Sequence, residues 1–83
     1  MPYIKQEERA KLDKIVSDMW AADVRANGDL NYILFAYCKR TVTPSYNNYK
    51  NFCGELRACA VEIERRLLGP YEDEKCIING DVK

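Results

Sequence analysis

Apolar side chains recur at three- and four-residue steps over three stretches of this chain, and a glycine or proline signal follows each one. That period places them on one face of a helix, so the pattern predicts an all-α fold. In the first stretch Leu12, Ile15, Val16, Met19, Trp20 and Val24 share a face, opposite Lys11, Asp13, Lys14, Asp18 and Asp23. A helix over about 6–26 follows, with Glu7 and Glu8 at the positive end of its dipole and Asn27-Gly28 as the stop.

Asp29 then reads as the cap of a second helix over about 30–41, carrying Leu30, Ile33, Leu34, Tyr37 and Cys38. Tyr32, Phe35 and Ala36 widen its apolar surface beyond one stripe, which suits a central helix or one at a subunit contact. Pro44 ends it by forcing Thr43 into an extended conformation. Ser45 caps the third and longest helix, over about 46–68. Its buried face is expected to hold Tyr49, Phe52, Cys53, Leu56, Cys59, Ala60, Ile63 and Leu67. Gly54 inside this helix suggests a close helix crossing, and Gly69-Pro70 should terminate it. An ordered C-terminal tail over 70–83 remains, with a tight turn at Asn79-Gly80. Trp20 and Phe35 are assigned to the core or to a subunit contact.

A chain of 83 residues makes one domain, and such a domain buries only about 60–65% of its unfolded surface. A staple, a metal or oligomerisation is then the usual supplement. Cys38, Cys53, Cys59 and Cys76 form no C-x-x-C pair and there is no histidine, which argues against zinc. No signal-type leader and no long apolar run occur, so a cytoplasmic, reducing location without membrane is expected, with cysteines acting as small apolar residues. Homo-oligomerisation becomes the favoured source of burial. Thirteen basic residues balance thirteen acidic ones, and a nucleic-acid polymer calls for a basic excess that this chain lacks.

Enzyme chemistry finds no footing. Histidine triads are unavailable, no glycine-rich phosphate loop precedes a helix, and Cys38 lies late in its helix where the dipole opposes a thiolate. The chain therefore reads as non-catalytic, with no cofactor. Binding has better candidates. Arg65 and Arg66 either complement the helix dipole and pair with Glu62 and Glu64, or join Lys5, Lys75 and Arg40 in an anion clamp beside tyrosine rings. Asn31-Tyr32, at a helix start, is either a cap with a core tyrosine or a polar contact for a ligand.

Both ends carry a proline, a tyrosine and closely set charges: Met1-Pro2-Tyr3-Ile4-Lys5-Gln6-Glu7, and Pro70-Tyr71-Glu72-Asp73-Glu74-Lys75 followed by Asn79-Gly80-Asp81-Val82. Frayed termini have little need of such residues, so both ends are expected to be pinned. With Leu30-Asn31-Tyr32 and Arg65-Arg66, these motifs resemble a family of small, mostly uncharacterised proteins of phages and bacteria, across essentially the whole chain. In type rather than descent, the chain is also similar to small cytosolic phage proteins that assemble as homo-oligomers and trap immune signalling nucleotides between subunits. That likeness implies inter-subunit pockets for a small phosphorylated nucleotide, such as an ADP-ribose derivative or a cyclic dinucleotide. Tyr3, Tyr32 or Tyr71 would stack on the base. Lys5, Arg65, Arg66 or Lys75 would neutralise phosphate, and Asn31, Asp73 or Asn79 would read ribose or base edges. The alternative is a structural or interaction protein whose end motifs staple protomers together or dock a host protein.

Overall fold

The computed structural model describes residues 4–82, and every element among them is helical. The chain divides into two compact units, Met1–Val42 and Thr43–Lys83.

In the first unit a 3-10 turn at Gln6–Glu8 leads into α1, Arg9–Ala21, and α2 follows at Gly28–Thr41. The side-chain Nε of Arg9 donates to the Ile4 carbonyl at 2.8 Å, holding the residues before the turn against it. α1 ends at Ala21, five residues earlier than the apolar pattern predicts. The reason is local. The Val24 N–H donates to the Met19 carbonyl at 3.1 Å and the Asp23 N–H to the Trp20 carbonyl at 3.0 Å. This crossed pair is a Schellman cap, which requires a left-handed residue at its centre. Asp23 takes that position with φ 57°, and its carboxylate meets the Arg25 Nε at 2.9 Å. Aspartate tolerates this conformation better than most residues other than glycine, so no glycine marks the stop.

Asn27-Gly28 has the opposite role from the one its composition suggests. Asn27 is the N-cap of α2: its Oδ1 accepts the Asp29 N–H at 2.8 Å, and Gly28 is already helical. Asp29 is therefore not the cap. Its carboxylate accepts the Arg25 N–H at 3.4 Å and lies at the positive dipole end. The end of α2 falls at Thr41 as predicted, with Lys39 and Arg40 in its last turn. Replacing Asn27 with alanine should cost about 1 kcal/mol, and Asn27→Asp almost nothing, because only the acceptor matters. Urea melts followed by helical ellipticity measure this; equal midpoints for Asn27→Ala and wild type would refute the cap.

The second unit is one continuous helical path. Ser45 Oγ accepts the Asn48 N–H at 3.0 Å and starts α3, Tyr46–Ile63, as the sequence predicts. The predicted stop at Gly69-Pro70 does not occur. A π turn at Glu64–Leu68 follows α3 directly and passes into α4, Gly69–Asn79, giving a rod of 34 residues. At 1.5 Å per residue it is about 50 Å long. The π turn lets proline ride inside the rod. Pro70 has no N–H, and in regular α geometry its ring strikes the carbonyl four residues back. Here the Gly69 N–H reaches five residues back to the Glu64 carbonyl, widening the turn just ahead of the proline. Gly69 fits because a Cβ there would stand 3.1 Å from that same carbonyl oxygen. Residues 70–79 are thus helix rather than tail. The rod stops at Gly80, whose φ of 83° suits glycine.

No described residue is buried. Trp20 is 87% exposed and Phe35 68%, so neither is a core residue within the single chain, and the face expected to be buried on α3 is exposed or half-buried. Nothing lies within 4 Å of where a Gly54 Cβ would be, so no helix crosses there.

Candidate functional site

The predicted site residues fall in both units. Tyr3 lies outside the described residues. In the first unit Lys5 stands just before the 3-10 turn, its carbonyl accepting the Glu8 N–H at 3.0 Å, while Asn31 and Tyr32 occupy the opening of α2. The Asn31 N–H donates to the Asn27 carbonyl at 3.2 Å. Capping at this helix start therefore belongs to Asn27, and the Asn31 side chain is not needed for it. Tyr32 is 68% exposed, which removes the core-tyrosine reading within the single chain.

Arg65, Arg66, Tyr71, Asp73, Lys75 and Asn79 all stand on the rod of the second unit. The π turn brings both arginines within reach of one carboxylate. Arg65 Nη2 donates to both oxygens of Glu62 at 2.9 and 3.1 Å, and Arg66 Nη1 lies 3.9 Å from Glu62 Oε2. A shallow depression beside them is lined by Glu62, Ile63, Arg66 and Leu67. Half a turn onward, Lys75 places its ammonium 5.6 Å from the Tyr71 ring centroid. Tyr71, Lys75 and Asn79 recur at four-residue steps and share one side of α4, whereas Asp73, about 200° around the axis from Tyr71, does not.

The energetic balance at this site is shallow. Both guanidinium groups are about 60% exposed, so their pairs with Glu62 are screened by water and worth roughly 0–1 kcal/mol. An incoming anion could draw an arginine away at little cost, but Glu62 itself repels that anion. The cation–π contact of Lys75 with Tyr71 is of the exposed kind, about 0.5–1 kcal/mol. Sequence reasoning found Glu62 as a possible partner of the arginines and missed the π turn that sets their direction. A second lysine–tyrosine contact, Lys50 over Tyr46 at 5.6 Å, also escaped it. A four-residue step between tyrosine and lysine was the available signal for both.

Among the described residues, no group of three or more metal-ligating side chains converges, and all four cysteines are free. No helix among them is long and apolar enough to cross a membrane. Comparison with curated proteins and with solved structures gave no match. A family model, by contrast, matches residues 1–82, taking in both units and the motifs at both ends of the chain: the protein belongs to the family described as a domain of unknown function, DUF6899.

Proposed function

We propose that this protein is a non-catalytic binding protein that works as an assembly of its own copies. The observation that carries the reading is a chain that is 47% hydrophobic yet buries none of its described residues. Apolar surface of this amount drives association with something, and a chain this short without a disulfide or metal ordinarily finds its core in another copy.

The ligand we assign to the assembly is a small phosphorylated nucleotide, an ADP-ribose derivative or a cyclic dinucleotide, sequestered as a signal rather than converted. Support comes from two exposed guanidinium groups next to the exposed Tyr71 ring and Lys75 on one rod. Guanidinium forks suit phosphate oxygens and an exposed tyrosine face suits a base. A second reading, a structural or interaction protein with no small ligand, is favoured by Glu62, which already engages both arginines. Calorimetric titration with ADP-ribose and cyclic dinucleotides separates them. The first reading expects saturable heat that weakens at least about tenfold in Arg66→Ala, the loss of one charge-assisted contact. Lys11→Ala, remote on α1, should bind as wild type. No heat and no thermal shift with any of these nucleotides would leave the interaction reading alone.

A further inference from the structure

Along α3, Tyr49, Phe52, Leu56, Cys59 and Ile63 alternate steps of three and four, the heptad spacing of a helix seam. A straight α-helix would place Arg66 beside the next position of that seam. The wider π turn instead rotates Arg66 to the edge and brings Leu67 into line, extending the apolar row to about 27 Å. Cys53 and Ala60 lie beside the row and are small, so another helix can approach closely. The two edges differ in sign: Glu55 and Glu62 border one side, Lys50 and Arg57 the other. The unit carrying the row holds no second helix to cover it, since α3, the π turn and α4 form one rod.

We infer that this row is the contact with a second copy of the chain, the two α3 helices lying parallel and in register. The inference rests on the assembly reading above and adds its surface and direction. Charge selects the direction. In a parallel pair the acidic edge of each helix faces the basic edge of the other. An antiparallel pair would set Glu55 and Glu62 against the same acidic edge of the partner. A net charge of zero leaves no overall repulsion between copies. Parallel register also sets Cys59 opposite its own counterpart, which makes it a reporter.

The test uses full-length chains with one thiol each. The first keeps Cys59 with Cys38→Ser, Cys53→Ser and Cys76→Ser; the second adds Cys59→Ser and Val61→Cys, about 200° around the helix. Diamide, which takes up the two hydrogens of a thiol pair as a disulfide forms, should convert most of the first chain to a covalent dimer. The second should yield less than about a tenth as much, because its thiols face away from the seam. In sedimentation, Leu56→Asp should fall to the mass of a single chain while Val61→Asp keeps the wild-type mass. Wild-type protein sedimenting as a monomer would overturn both this seam and the assembly reading. An assembly that forms no Cys59 link, or links both thiols equally, overturns the seam alone.

Discussion

Diluting the protein a hundredfold should lower its thermal midpoint by about 8 °C. If the folded state is a dimer, mass action changes its stability by about 2.7 kcal/mol over that range. Unfolding entropy near 2.1 cal/mol/K per residue, over two chains of 83 residues, converts this to the stated shift. The expectation follows from burial. With no described residue buried, little within one chain offsets the entropy of ordering a 34-residue rod. Helical ellipticity recorded on heating, at several concentrations, gives the answer directly. A midpoint independent of concentration would show that one chain is stable alone, and the assembly reading would not survive it.

The helices themselves were legible because apolar period and polar caps are local signals. Ser45 and Thr41 mark their boundaries where the residues say they should. Three boundaries were not legible, and each failed for a distinct physical reason. At Asp23 a Schellman cap formed around aspartate, its carboxylate paired with Arg25, so the usual glycine was missing. At Asn27-Gly28 a dipeptide suited to ending one helix serves to begin the next. At Gly69-Pro70 the two strongest helix breakers sit inside a rod, because a five-residue hydrogen bond relieves the clash that makes proline a breaker. Periodicity also identified the apolar face of α3 without saying what covers it. A seam for another chain and a face for the chain's own core have the same spacing.

The candidate site divides in the same way. That Arg65 pairs with Glu62 follows from a three-residue step and was readable. The direction of Arg66 was not, since a π turn changes the angle between everything before and after it. Tyr71 and Lys75 keep their mutual contact because both lie beyond the turn on α4. Their relation to the arginines depends on it. The proposed ligand site therefore depends on Gly69 and Pro70, which touch no ligand.

Replacing Pro70 with alanine should raise the stability of the rod by up to about 3 kcal/mol, the usual cost of proline in a helix interior. The new N–H could donate to the Arg66 carbonyl, and the π turn could close to regular α geometry. Closure would turn α4 relative to α3, so a bound nucleotide should be lost even as the midpoint rises. Gly69→Ala supplies the second side of a mutant cycle. In the native chain its methyl group would meet the Glu64 carbonyl at 3.1 Å, so the ordinary helix gain of alanine is opposed. In the Pro70→Ala background that crowding disappears, and the same substitution should gain about 1 kcal/mol. The two changes should therefore be more stabilising together than the sum of each alone, by an amount typical of contacting residues. Thermal melts of the four proteins measure the coupling. Strict additivity would mean that Pro70 does not hold the turn open and that the Glu64–Gly69 bond has another cause.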